Sequence, residues 1–336
     1  MNQVKLALNI CTYKREQILR KNLDILKGSE FFNSNNTHLY NKLEIFVIDN
    51  SSELSFESFP NLHLFHNPNT GGSGGFQRGI EEIRKHNDIT HVIFMDDDVS
   101  FEMNTFYILY DFLETVDSKN ADRPVAGRML DKDNPTIQWT AGEKWNSGNI
   151  QHVEFLRDIS NSNNPYTPGK VIYDADSDYG GFWFCCYPFD YVKNNDVIPF
   201  FLHCDDVEYG LRCKKKPIII EGVHVWHETW EKKMSPEMLY YDYRNSLFVN
   251  EMYNFLLPKE ELINQWKNKI LIYRKDGKYI CEYMLIKAMS DYINGMKWLV
   301  NLDSEKYHIR LSMSKTNKMR NRILMRYVLV KAKFLV

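Results

Sequence analysis

His91-Val92-Ile93-Phe94-Met95-Asp96-Asp97-Asp98-Val99 is an apolar run that stops on three consecutive carboxylates. An extended segment alternates its side chains between two faces, so Asp96 and Asp98 project together while Asp97 points the other way. Two carboxylates crowded at one strand end repel by roughly 1 kcal/mol or more at about 4 Å unless a cation sits between them. A divalent ion holding a diphosphate is the first chemistry such a pair suggests. A solvated acidic turn after a strand is the plain alternative.

Working outward from this run, residues 4–10, 43–48 and 62–65 read as further strands, and residues 15–26 and 74–85 as helices. A β-α-β-β-α-β order with strands apolar throughout predicts an α/β fold. The sheet is Rossmann-like and mostly parallel, covered by helices, with ligands at the carboxyl ends of its strands. Four motifs fall at those ends: Cys11-Thr12-Tyr13-Lys14-Arg15, Asp49-Asn50-Ser51, Asn67-Pro68-Asn69-Thr70-Gly71-Gly72-Ser73-Gly74-Gly75, and the triple aspartate. The glycine-rich segment has no G-x-G-x-x-G register, and Gly79 is followed by Ile80 where a phosphate-loop NTPase needs lysine. It reads instead as a strand-to-helix turn that lets a ligand approach a helix N-terminus closely. Thr12 equally suits a helix N-cap and Arg15 a solvated helix position, whereas Asp49 ends a buried strand and can accept hydrogen bonds from a base or ribose.

Composition narrows the class. The chain has 336 residues, enough for one large or two modest domains, and a net charge of −2 that offers no field for nucleic acid. Its six cysteines form no C-x-x-C pair, which favours reduced thiols and a cytoplasmic setting. The first ten residues do not read as a secretory signal, and no window of about 18 apolar residues predicts a membrane span. Aromatic side chains make up 14% of the chain, and many fall in polar company within residues 139–243, where they can line a wide, flat pocket.

The second half supplies further reagents. In Phe200-Phe201-Leu202-His203-Cys204-Asp205-Asp206-Val207-Glu208-Tyr209-Gly210-Leu211-Arg212, two carboxylates open a predicted helix, where the dipole favours the ionised form. One of them facing a pocket can take a proton from a hydroxyl nucleophile, and one suits the N-cap. After a strand at 217–220 come His224 and His227, candidate ligands for an ion already held by two carboxylates; packed core histidines are the alternative.

Taken in order, Thr12-Tyr13-x-Arg15, Asp49, Asn69-x-Gly71-Gly72-x-Gly74-Gly75, Asp96-Asp97-Asp98, Gly181-Phe182-Trp183, Asp205-Asp206-x-Glu208-Tyr209 and Trp226-His227-x-x-Trp230 resemble the inverting GT-A glycosyltransferases of family 2. The likeness is in particular to bacterial galactofuranosyltransferases and covers about residues 4–250. The resemblance implies that Thr12, Tyr13, Arg15, Asp49, Asn69 and Asp96 hold a UDP-sugar, and that Asp96, Asp98 and His227 bind Mn2+ or Mg2+. It implies Asp206 as the base for the acceptor hydroxyl, and Trp183, Phe182, Glu143 and Asp205 as acceptor contacts. The expected reaction is a single inverting displacement, with UDP-galactofuranose as donor and a glycan, in particular a lipid-linked one, as acceptor in bacterial surface polysaccharide synthesis. A rhamnosyl- or hexosyltransferase, or a catalytically silent carbohydrate-binding protein, keeps the fold and changes the task. Two positions depart from the family pattern, with Cys204 where Trp is frequent and Asp242 where relatives can carry histidine.

The resemblance places a GT-A domain at 1–255, with a nucleotide half at 1–100 and an acceptor half at 101–255, followed by a helical, basic region at 256–336. Residues 306–336 contain nine Lys or Arg and no acid, interleaved with Leu311, Met313, Met319, Ile323, Leu324, Tyr327, Val328 and Val330. A basic amphipathic helix there can lie peripherally on the inner face of an anionic membrane, or serve as a packing or homo-oligomer contact.

Overall fold

The computed structural model describes residues 2–55, 57–229 and 234–332. Its strands are β1 Leu6–Thr12, β2 Leu43–Asp49, β3 Leu62–His66, β4 His91–Asp96, β5 Val125–Asp131, β6 Ile137–Thr140, β7 Glu143–Asn146, β8 Asn149–His152, β9 Arg157–Asp158, β10 Val171–Ile172, β11 Cys185–Pro188 and β12 Ile218–His227. Its helices are α1 Glu16–Lys27, α2 Gly71–Ile83, α3 Asn104–Thr115, α4 Phe189–Val192, α5 Asp205–Cys213, α6 Pro236–Met252, α7 Lys259–Lys275, α8 Tyr279–Tyr292, α9 Met296–Val300, α10 Ser304–Ser312 and α11 Lys318–Ala332. The chain forms two compact units: Met1–Lys144, Ile150–Val197 and Asp206–Thr229, then Trp145–Asn149, Ile198–Asp205 and Trp230–Val336. The second unit takes in α6 together with the helices that follow it. The reason is that α6 packs along α8 and so belongs with the C-terminal helices.

In the first unit the sheet runs β10-β12-β5-β11-β4-β1-β2-β3. β3, β2, β1 and β4 are mutually parallel, β12 is parallel to β5, and β11 enters antiparallel between β4 and β5. Alternation sends each strand's apolar side chains to both faces. Leu6, Leu8, Ile10, Ile45, Ile93 and Met95 join Leu19, Leu23 and Leu26 of α1, whereas Ala7, Phe46, Val92 and Phe94 join Phe76, Ile80 and Ile83 of α2. Each fully buried leucine, isoleucine, valine, phenylalanine or methionine among them contributes about 1.5–3 kcal/mol. The chain goes from β1 to β2 and β3 on one side and returns to β4 on the other. The crevice at the carboxyl ends of β1 and β4 is thus a topological switch point, where ligands of open α/β sheets bind.

Two helical boundaries differ from expectation. The glycine-rich segment is not a loop before a helix at 74; α2 begins at Gly71, so its glycines lie in the first turns. The cause is close packing on β1. A Cβ at Gly75 would stand 2.1 Å from Cys11 Sγ, and one at Gly79 would stand 1.9 Å from Asn9 Oδ1. The basic tail is not one helix. α10 and α11 are separate, with Asn317 Oδ1 accepting the amides of Met319 (3.1 Å) and Arg320 (3.0 Å) to start α11.

In the second unit, Asp242 lies on α6, and burial raises its carboxyl pKa to about 6 despite the opposing pull of Lys269. A carboxyl with a raised folded-state value keeps a proton that the unfolded chain releases. The stability it lends is complete below the ordinary carboxylate range and lost as pH rises through about 6. Asp242→Asn removes that loss. Its melting temperature should exceed wild type at pH 7.5 by an amount corresponding to on the order of 1–3 kcal/mol, with little difference at pH 4. Equal pH dependence of the two proteins in thermal melts would contradict this.

Candidate active site

Three strand ends build one corner of the first unit. β4 delivers Asp96, the turn after it delivers Asp98, and β12 ends on His227. The ligand atoms of these three residues all lie within 4.8 Å of one another. His227 Nε2 is 3.0 Å from Asp98 Oδ1 and 3.8 Å from Asp96 Oδ2. The backbone sets this up. Ser100 and Trp226 exchange both N–H···O bonds at 2.8 Å, an antiparallel bridge that lays the aspartate turn against the end of β12. Asn22 of α1 adds a brace, its Nδ2 donating to the carbonyls of Asp97 (3.3 Å) and Val99 (3.0 Å).

Asp97, on the opposite face as alternation requires, is buried. Thr12 Oγ1 donates to its Oδ2 at 2.6 Å and Arg15 Nη1 to its Oδ1 at 2.8 Å, while the same Arg15 nitrogen lies 3.1 Å from Asp98 Oδ2. Burial raises the Asp97 pKa, with Arg15 and Thr12 working against the rise. Burial lowers the Arg15 pKa, but the charges of Asp97 and Asp98 outweigh it and carry the guanidinium above its usual value. Thr12 and Arg15 are thus brought to the acidic corner, where they hold its middle carboxylate. Tyr13 beside them is 45% exposed and available to a flat ring.

Asp49 is fully buried and accepts from the Ser51 amide (2.8 Å), the Ser51 hydroxyl (2.5 Å) and the Leu54 amide (2.8 Å), with His66 Nδ1 at 3.2 Å. Burial pushes its pKa up, and these bonds more than offset that, holding it below the usual carboxylate range. Its immediate work is to fold residues 50–54. Asn69 Oδ1 accepts the Gly71 amide at 3.2 Å at the start of α2.

The strand ends are tied together by asparagines that the sequence reading missed. Asn50 Nδ2 donates to the Gly71 carbonyl at 2.8 Å, and Asn67 Nδ2 donates to Asn50 Oδ1 at 2.8 Å. Asn22 carried a readable signal, a polar residue inside the buried stripe of Leu19, Leu23 and Leu26. Asn50 and Asn67 carried none, because asparagines at strand ends are ordinary turn residues.

Asp206 stands in the first turn of α5, its Oδ1 accepting the Val207 amide at 2.8 Å. One turn on, Tyr209 is inserted among Phe94, Phe182 and Tyr187, with ring centroids 5.2–5.8 Å away, which fixes that helix on the β4 and β11 region of the sheet. Burial pushes the Cys185 thiol pKa up, and Asp206 is among the charges near enough to add to that. Asp205 is the first residue of α5.

His224 is three residues from His227 on one strand and so faces the opposite side; its Nδ1 is 2.9 Å from the Tyr166 hydroxyl, and burial, with the nearby Arg128, lowers its pKa to about 4. Phe182 is not an exposed platform. It is 4% exposed and stacked on Phe94 at 4.5 Å and 14°, because the aromatic core under α5 claims its ring. Trp183 is half-buried, with Nε1 donating to the Gly127 carbonyl at 3.0 Å. A Cβ at Gly181 would stand 2.1 Å from the Trp183 ring, so only glycine lets the indole fold back there. Glu143 is buried with His152 Nδ1 2.9 Å away, and burial raises its carboxyl pKa against the pull of that histidine. Trp230 lies outside the described residues.

Residues 8–172 match the family description "Glycosyl transferase family 2". The chain carries a glycosyltransferase family 2 domain. It is 27% identical over 263 residues to galactofuranosyltransferase GlfT2 of Mycobacterium tuberculosis, covering 72% of this chain and 40% of the relative. The GlfT2 of Mycolicibacterium smegmatis is 26% identical over 260 residues, covering 72% and 39%. The chain thus spans about two fifths of the length of these curated relatives. A crystal structure of GalNAc-T7 with UDP, GalNAc and Mn2+ aligns with a TM-score of 0.51 at 12% identity over 94% of this chain and 60% of that one, a likeness of fold. The architecture is GT-A, as expected. The matched segment of the family 2 domain contains β1 from Leu8 onward, β4 and the aspartate turn, and β12 adds His227 from beyond it.

The corner of the family 2 domain fits a divalent cation. Two carboxylates and an imidazole converge at one point, a set of oxygen and nitrogen donors suited to Mn2+ or Mg2+. Asp96, Asp98 and His227 are the residues that would hold it. Such an ion, when bound, neutralises diphosphate oxygens. Arg15 and the N-terminus of α2, which also face the strand ends, favour anions in the same crevice.

Proposed function

We propose that the chain transfers galactofuranose from UDP-galactofuranose, with inversion at the anomeric carbon, to a glycan acceptor in the synthesis of a bacterial surface polysaccharide. The observation that carries this reading is the convergence of Asp96, Asp98 and His227 at the switch point of a family 2 domain whose curated relatives are galactofuranosyltransferases. In this reading Tyr13 stacks on the base, and Thr12, Arg15, Asp49 and Asn69 shape the nucleotide site. Asp96, Asp98 and His227 hold Mn2+ or Mg2+, and Asp206 deprotonates the acceptor hydroxyl as it attacks. Trp183, Glu143 and Asp205 serve the acceptor side.

The test is incubation of the full chain with UDP-galactofuranose, Mn2+ and a galactosyl-lipid acceptor, reading UDP release, product mass and anomeric configuration. Release of UDP with a β-galactofuranosyl product is the expected result. Faster turnover with another nucleotide-sugar would move the reading to a different hexose or to rhamnose. No UDP release with any donor would favour a carbohydrate-binding protein.

A lipid-linked acceptor agrees with the basic C-terminal helix. Among the described residues no helix is long and apolar enough to cross a membrane. On α11, Met319, Ile323, Tyr327 and Val330 are 53–72% exposed at helical spacing, with Arg320, Arg322 and Arg326 also exposed. In this reading that surface lies on an anionic bilayer. Cosedimentation with vesicles containing anionic lipid should fall steeply between about 0.05 and 0.2 M salt, and should weaken further in Ile323→Glu/Tyr327→Glu. Binding indifferent to salt and to both substitutions would refute it.

A further inference from the structure

The backbone just before Asp205 and Asp206 is held in an unusual shape. Phe201, His203 and Cys204 have φ of 75°, 65° and 64°, the left-handed region that side-chain-bearing residues avoid, and none is glycine. Such a conformation persists only where its surroundings over-determine it. Here two neighbouring side chains of α6 do so. Asn245 Nδ2 donates to the carbonyls of Leu202 (2.7 Å) and His203 (3.0 Å), and Arg244 Nη2 donates to that of Phe200 (2.7 Å). Arg244 Nε in turn donates to Asn245 Oδ1 at 2.9 Å, so the amide is fixed in the orientation that presents its N–H groups to the loop. Both residues are at most 1% exposed, and Arg244 is anchored further by Tyr240, whose hydroxyl donates to Asp291 at 2.8 Å.

We infer that Arg244 and Asn245 are positioning residues for Asp206: they hold the left-handed turn whose end sets where α5 begins, and thereby where its carboxylate stands. The inference rests on the reading of Asp206 as the base. In the absence of this clamp, residues 201–204 would relax to ordinary dihedrals and the start of α5 would shift, and a displacement of about 1 Å at a reacting group can cost up to 10²-fold in rate. Donor binding, built on β1, β4, β12 and α2, does not draw on the clamp.

Asn245→Asp keeps the shape and the acceptor for Arg244 but removes both donors. It should lower kcat for transfer about 10- to 100-fold, with the donor KM and the UDP dissociation constant within about twofold of wild type. A merely structural role would move stability and nucleotide affinity together with rate. In the Asp206→Asn background, adding Asn245→Asp should lower kcat by no more than about twofold, since a base that is absent cannot be mispositioned. Arg244→Lys, which loses the bond to Phe200, gives the same comparison if Asn245→Asp does not fold. Wild-type turnover in a folded clamp variant, or a full multiplicative loss in the double variant, overturns the inference while the base assignment stands. Wild-type turnover in Asp206→Asn alone overturns the base assignment, and this inference with it.

Discussion

Asp206→Asn is expected to reduce transfer turnover by about 10²-fold or more while UDP affinity changes little. An amide has nearly the shape of a carboxylate, and its oxygen can still accept the Val207 amide that Asp206 Oδ1 accepts at 2.8 Å. The start of α5 is therefore preserved, and Tyr209 keeps its place among Phe94, Phe182 and Tyr187. The change removes basicity alone. The proposed reading assigns UDP binding to the strand ends of β1 and β4, so the variant should titrate with UDP as wild type does. Steady-state kinetics beside a UDP titration separate the two quantities, and a parallel loss of both would remove Asp206 from the role of base.

Asp98→Ala is expected to abolish most of the stimulation that Mn2+ gives to UDP binding. Loss of a supporting contact to a metal ligand already costs about 10- to 100-fold in affinity or activity, and a ligand itself should cost at least that. Asp98 also lies 3.0 Å from His227 Nε2 and 3.1 Å from Arg15 Nη1, so its removal leaves an imidazole and a guanidinium facing each other across the corner. The measurement is the ratio of UDP affinity with Mn2+ to that with chelator. Wild type should show a large ratio and Asp98→Ala a ratio near one. Equal ratios in both proteins would mean that this carboxylate holds no ion.

The DDD turn shows how far local pattern reaches. The two-residue period of a strand was enough to separate Asp97 from Asp96 and Asp98, and the structure places Asp97 under Thr12 and Arg15 and the other two beside His227. The same period also separates His224 from His227, and it explains why only the latter reaches the corner. Boundaries were legible to within a few residues where an apolar run ended sharply, as for β2 and β4. They failed at α2, where glycine's low helix propensity gave way to the closeness of β1.

By itself the sequence determined the α/β class, the alternation that directs side chains to one sheet face or the other, and the chemical types gathered at the strand ends. These follow from periodicity and composition, which act over a few residues. Tertiary structure alone decided that Phe182 is core and not platform, that Asn22, Asn50 and Asn67 brace the crevice, and that α6 clamps the turn before α5. Those outcomes depend on which distant segments come into contact. A ring or an amide has the same local signature whether it meets water, another ring or a carbonyl from far along the chain, and only the packed fold chooses among them.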